Sequence, residues 1–305
     1  MYEDLGTILN KGFKNWTRNL NICIPFILNL GVSLLLSFFF FGLMGVMLLS
    51  SKIKSGLDLS TLPAEELYSL FAGAFLENLG AALAGLIAFF LLIMFIEAFF
   101  TAGAIGMAKR AAETGDTFFS EMLGFGSKNA IRLFLTIMLI DLMLIAGLVF
   151  VVPGVLAIGD LGTLLENPEA SVRGLGLLGL GILIWVLYLL IITLLFSFAP
   201  YAVVIDELDP LEAISTSFRF FKENKLDVFL IWVISITLTL INNMVSEFFS
   251  SLSSLIVLLT TLLPLFVLQP LITVWWTRLY LNRKGTELYD PSKLLCEPDD
   301  ILNQY

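Results

Sequence analysis

Histidine is absent from the 305 residues, cysteine occurs twice, and charged residues make up only 14%. Without imidazole the chain has no histidine base, no histidine metal ligand and no histidine pH sensor. Cys23 and Cys296 lie at opposite ends of the sequence and form neither a disulfide framework nor a metal cluster. Soluble domains carry about 25% charged residues. A chain with 14% charged and 58% hydrophobic residues lacks the polar surface of a soluble globule. Gly174, Gly176 and Gly179 match a dinucleotide-binding pattern by letter, but no strand precedes them and they open an apolar run, so no cofactor is expected. No nucleic-acid partner is expected either; the partner is the lipid bilayer, with a further membrane protein as a second one.

Apolar length is what the sequence does have. Runs of about 20 apolar residues cross a hydrocarbon core of ~30 Å, and six are found near 22–49, 79–108, 132–152, 174–200, 227–249 and 254–279. Asn242, Asn243 and Glu247 interrupt the stretch between the last two. Of the 17 Lys and Arg residues, Lys52, Lys54 and Arg173 alone fall in loops on one side, and all the others fall on the opposite side. The positive-inside rule then places both termini in the cytoplasm of a multi-pass protein of the cell membrane. The net charge of −9 does not conflict, because acids weigh little in that rule. Basic residues ahead of the first run imitate a signal peptide, yet the run is too long and no small-x-small site follows it.

The strongest pattern is a unit met three times: an amphipathic stretch, a charged residue followed by asparagine, then a long apolar span. The pairs are Arg18-Asn19, Lys128-Asn129 and Glu223-Asn224. The expected fold is therefore an all-α integral membrane protein of six transmembrane helices, arranged as three helical-hairpin repeats, each preceded by a cytoplasmic amphipathic helix. One membrane domain spans 1–285, with repeats at about 1–110, 115–208 and 209–285, and a polar tail follows at 286–305. In the first unit Leu5, Ile8, Leu9, Gly12, Phe13, Trp16 and Leu20 share a helical face. In the third, Leu211, Ile214, Phe218 and Phe221 do; in the second, Phe119, Met122, Leu123 and Gly126 make a weaker one. Such faces suit a helix lying in the headgroup plane, and equally one packed on the ends of the spans. A helix over residues 63–79, preceded by Ser60 and Thr61, carries Glu65 and Glu66 in its first turn, where the helix dipole favours acids.

Residues 196–234 read Phe196-Ser197-Phe198-Ala199-Pro200-Tyr201, Val204-Ile205-Asp206-Glu207, Leu211-Glu212-Ala213-Ile214, then Lys222-Glu223-Asn224, with Pro153-Gly154 upstream. This pattern resembles a broad group of archaeal and bacterial polytopic membrane proteins. That group is similar to the membrane domain attached to some glycerophosphodiester phosphodiesterases. The resemblance implies a shared helical membrane fold and brings no active site.

Glu97 and Asp141 are the most unusual residues, because a carboxylate at the centre of a membrane helix costs about 2.5–3.5 kcal/mol on insertion scales. At a rise of 1.5 Å per residue, Glu97 lies about 18 Å from Lys109 and Asp141 about 14 Å from Arg132. Asn29, Ser197, Ser235 and Gln269 fall at a similar distance from the basic side in the other spans. These six residues are the candidate site. They form either a polar level for an ion, proton or substrate, or a set of ordinary interhelical hydrogen bonds. Pro264 and Pro270 are expected to kink the last span beside Gln269. With no catalytic constellation, the expected role is non-enzymatic: organising lipids or partner proteins. The alternative is a proton- or cation-coupled transporter using Glu97 and Asp141.

Overall fold

The computed structural model describes residues 2–54, 63–158, 172–249 and 254–290. Ser60, Thr61, Cys296 and the polar tail beyond 290 lie outside the described residues. In chain order the α-helices are α1 (Leu5–Arg18), α2 (Ile24–Lys54), α3 (Ala64–Glu77), α4 (Leu79–Thr114), α5 (Phe119–Ala146) and α6 (Val152–Ile158). They continue with α7 (Val172–Phe196), α8 (Ala199–Asp206), α9 (Pro210–Glu223), α10 (Lys225–Phe249), α11 (Ser254–Leu263) and α12 (Gln269–Arg283). No strand occurs among the described residues. Six segments are long and apolar enough to cross a membrane: Leu20–Ser50, Leu79–Thr114, Phe119–Ile158, Gly174–Asp206, Lys225–Phe249 and Leu255–Arg283.

Helix α1 starts at Asp4, whose carboxylate accepts the Thr7 N–H at 3.3 Å and so satisfies one of the free donors of a helix start. It buries Ile8, Gly12 and Trp16, a spacing of four that keeps them on one side. That side lies on α12, where Trp275 Nε1 donates to Leu9 O at 3.0 Å. A Cβ on Gly12 would stand 2.5 Å from Trp275 Cδ1, so the indole occupies the space a side chain would need. Phe13 and Leu20 point outward.

Helix α9 buries Ala213, Ser217 and Phe220 and leaves Leu211 and Phe218 exposed. The larger apolar side chains singled out in the sequence thus do not all face the bundle. The buried side combines the Phe220 ring, packed on Phe198, with Ala213 and Ser217, and Ser217 reaches the broken backbone between α7 and α8. The stretch at 118–129 is not a separate helix but the first turns of α5. Asn19 and Asn224 leave helical geometry (φ −120° and −126°) and cap α1 and α9, whereas Asn129 stays inside α5. All three asparagines nevertheless make the same bond, Nδ2 to the carbonyl four residues back: Asn15 O at 3.0 Å, Phe125 O at 3.1 Å and Phe220 O at 3.1 Å.

Among the described residues the backbone turns left-handed at Gly115 (φ 89°), Glu207 (φ 60°) and Gly285 (φ 76°). These positions follow α4, α8 and α12, the helices that return to the basic end, and a left-handed residue there stops a helix. The core also sits at that end. Ile8, Ala102, Met107, Leu133, Phe198, Val204, Ile231 and Tyr280 belong to one buried cluster. Within the spans themselves, only 6–22% of the most apolar window of each is buried. A satellite contact joins α3 to α2 through Ala74, Leu48 and Leu49.

Candidate functional site

Each residue of the expected polar level is itself buried or lies within five positions of a buried residue. Asn29 follows the buried Pro25, Glu97 lies between buried Met94 and Ala98, and Asp141 comes a turn after the fully buried Thr136. Ser197 precedes buried Phe198, Gln269 sits between buried Leu268 and Pro270, and Ser235 is itself buried. The side chains do not converge. Glu97 and Gln269 are exposed on the outside of the helices, and Asp141 is half-buried. Asp141 is near enough to interact electrostatically with Glu97, but neither acid makes a hydrogen bond or ion pair among the described residues. Ser197 bonds its own helix at Leu194 O, 2.9 Å. Ser235 bonds Ile231 O at 2.8 Å and accepts Trp276 Nε1 at 3.1 Å. Asn29 keeps a buried Oδ1 without a protein partner.

Other polar residues in the spans have a backbone task. Proline has no N–H, so the carbonyl four residues earlier in a helix loses its donor. In a membrane that carbonyl must be satisfied by a neighbour. Pro264 deprives Thr260 O, and Asn242 Nδ2 on α10 donates to it at 3.1 Å. Pro270 deprives Phe266 O, and Cys23 Sγ, just before α2, donates to it at 2.9 Å. Between the prolines, Pro264–Leu268 forms a π-helical turn, the expected kink. Next to Pro200, the Ser217 hydroxyl donates to Leu195 O at 2.9 Å and accepts the Phe198 N–H at 3.1 Å.

Below the core, the basic end is bound by charge. Arg278, 2% exposed, donates to Glu3 through Nε and Nη2 at 2.9 and 2.7 Å. Lys11 bridges Glu3 at 3.0 Å and Asp290 at 2.7 Å. Burial pushes the Glu3 carboxyl up, but hydrogen bonds from Arg278 and Lys11, with their charges, outweigh it and hold the group below its ordinary value. The Asp290 hydrogen bond leads in raising the Lys11 ammonium. Arg18 pairs with Asp116 at 3.0 Å, and Asn19 locks the same turn by donating to Gly115 O at 2.9 Å and accepting the Thr117 N–H at 3.0 Å. Lys128 pairs with Glu207 at 2.5 Å, and that hydrogen bond leads in lowering the Glu207 carboxyl. Arg132 donates to Glu207 O at 2.9 Å, and Lys109 donates to Ile205 O at 3.1 Å, so cations cover the end of α8 where its free carbonyls concentrate negative charge.

Sequence reasoning overlooked the close contact of α4 and α5. A Cβ on Gly103 would stand 2.6 Å from Met122 Cγ and 2.9 Å from its carbonyl, one on Gly106 would run into the Phe125 ring, and one on Gly126 would meet Phe99 O at 3.0 Å. The signal was present in the small residues Ala98, Ala102, Gly103 and Gly106. The two backbones touch there, which fixes the hairpin that carries Glu97 and Asp141. Gly174 and Gly181 do pack closely, against α6 and the turn before it, while Gly176 and Gly179 face open space.

These features define a multi-pass helical membrane protein whose spans are joined at one end by a charged, hydrogen-bonded girdle. The chain belongs to the family described as a domain of unknown function (DUF7847), whose model matches residues 30–280. A comparison with curated proteins finds no match, and one with solved structures finds none.

Proposed function

We propose that this chain is a non-enzymatic protein of the cell membrane, with both termini in the cytoplasm, that organises lipids or partner proteins. The observation carrying this reading is the uneven packing. The girdle and core join the helices at the basic end, while 6–22% burial in the apolar windows leaves most intramembrane surface available to lipid or to other helices. Exposed Phe13, Phe119, Leu123, Leu211 and Phe218 beside Lys14, Lys128 and Lys222 support an interfacial position for that end. The shared bonds of Asn19, Asn129 and Asn224, and the left-handed stops at Gly115, Glu207 and Gly285, support three hairpin repeats with an amphipathic leader each. The likeness to phosphodiesterase-linked membrane domains belongs to the same proposal and concerns the fold alone. Mass spectrometry of the protein extracted in native-lipid particles tests the reading. A stoichiometric protein or an enriched lipid is expected, and a preparation holding neither overturns it.

A second reading, a proton- or cation-coupled transporter, rests on Glu97 and Asp141 lying within electrostatic reach with no cation paired to either among the described residues. Liposome flux that disappears in Glu97→Gln or Asp141→Asn while the protein stays folded would favour it over the first.

A further inference from the structure

A pocket of about 280 Å³ opens between α1, the last turns of α12 and the segment ending at Asp290. Lys11, Lys14, Arg18 and Arg278 line it against a single carboxylate, Asp290, with Asn15 and Tyr289 completing the wall. Its size is just below the usual range for small-molecule sites, about 300–1,000 Å³, which suits a headgroup or a small anion.

The donors in this wall are not all used. The Asn15 Oδ1 accepts from Asn19 Nδ2 at 3.0 Å, which fixes the amide orientation and leaves a buried Nδ2 with no partner among the described residues. Arg278, 2% exposed, spends Nε and Nη2 on Glu3, and its Nη1 donates to no group among the described residues. Lys14 makes no ion pair among the described residues. The Tyr289 hydroxyl accepts from Arg18 Nη1 at 3.0 Å and retains its own proton for donation. Unmet donors in one wall call for an acceptor with several oxygens, because a buried donor without a partner costs more than a hydrogen bond returns. A guanidinium held in place by a carboxylate is a prepared point of attachment for such a group.

The geometry points to a phosphate-binding site in this pocket, for a phosphate group carried on a lipid headgroup or free in solution. Asn15, Lys14, the open Nη1 of Arg278 and Tyr289 donate to its oxygens. Asp290 competes with it for Lys11. Phe13 on the same helix is exposed, as suits a helix lying in the headgroup plane. The site rests on the lipid-organising reading only where the phosphate belongs to a lipid; a free anion would occupy it under either reading of function.

The test uses the full chain in nanodiscs of phosphatidylcholine, titrated with inorganic phosphate, and in discs containing a minor share of phosphatidic acid, examined by native mass spectrometry. Saturable phosphate binding identifies a free-anion site, and retention of phosphatidic acid without phosphate binding identifies a headgroup site. Either result supports the proposal if Lys14→Gln and Asn15→Leu weaken binding about tenfold, the worth of one charge-assisted hydrogen bond, and Asp290→Asn strengthens it. Lys225→Gln, an exposed charge elsewhere on the same end, is expected to change nothing. The proposal is overturned if neither form binds, or if Lys225→Gln weakens binding as much as Lys14→Gln does. Loss of copurifying partners with phosphate binding intact would remove the organising role and leave the site standing.

Discussion

Glu3 accepts two hydrogen bonds from the buried Arg278, at 2.9 and 2.7 Å, and so neutralises a guanidinium that is 2% exposed. Removing one member of such a pair leaves the other charge buried and unmatched, at a cost of about 3–5 kcal/mol. Glu3→Gln is expected to lower the thermal unfolding midpoint in detergent markedly. The double variant Glu3→Leu/Arg278→Met is expected to recover much of the loss. Equal losses in the single and double variants would show that charge burial is not what makes Glu3 necessary.

The same pair sets an acid limit. Glu3 is held below its ordinary value in the folded protein, so on acidification the unfolded chain takes up the proton first. Its contribution is complete above the unfolded glutamate value of about 4.3 and is lost as pH falls through the lower, folded value. Thermal midpoints measured from pH 7 down to pH 3 are expected to fall in the acid range, and Glu3→Gln to flatten that limb. A parallel limb in the variant would assign the acid sensitivity to other carboxylates.

Asn242 exists to serve Pro264. Asn242→Leu leaves Thr260 O bare and is expected to cost about 0.6–1.7 kcal/mol, the measured scale for hydrogen bonds between membrane helices. Pro264→Ala restores an N–H on α11's own continuation, and in that background Asn242→Leu is expected to be nearly harmless. A double-mutant cycle reads this coupling directly; additive losses would contradict it.

Contact between α4 and α5 leaves no room at Gly103. Gly103→Ala forces a methyl onto Met122 and is expected to destabilise by about 1–3 kcal/mol through overpacking. Gly124→Ala on the facing helix meets nothing within 4 Å and is expected to stabilise by up to about 1 kcal/mol through helix propensity. Opposite signs in unfolding experiments would confirm that space, not glycine content, decides.

For the intramembrane acids, the organising role expects Glu97→Gln and Asp141→Asn to leave lipid and partner retention unchanged. Neither residue holds another by hydrogen bond, so no structural loss accompanies the change. Retention that falls in either variant would bring the two carboxylates into the function.

Hydrophobic length alone made the six spans legible, since each exceeds what a bilayer core requires. The helix at Ala64–Glu77 was legible from Glu65 and Glu66. The kink at Pro264–Leu268 was equally visible, but its remedies were not. Asn242 reads in the sequence as an interruption and Cys23 as a cysteine outside any disulfide or metal framework, because an orphaned carbonyl on another helix leaves no trace near either residue. The apolar pattern puts Leu211 and Phe218 on the buried face, yet Ala213, Ser217 and Phe220 are buried instead, and the place of Ser217 is set by a broken partner helix that no local pattern reveals. The girdle was hidden for a similar reason: Lys11 and Asp290 are 279 residues apart, so no local pattern joins them.

Glu3 and Arg278 are separated by 275 residues, which has a consequence during synthesis. At about 5–20 residues per second, roughly 14–55 s pass between the translation of one and of the other. Throughout that interval α1 lacks its seat on α12 and can hold only the contacts of Arg18 and Asn19 with residues 115–117, so Glu3 has no guanidinium to pair with. The last span therefore closes the girdle, and a nascent chain stalled before Arg278 would hold α1 at its C-terminal end alone, with the face of Ile8 and Gly12 uncovered by α12.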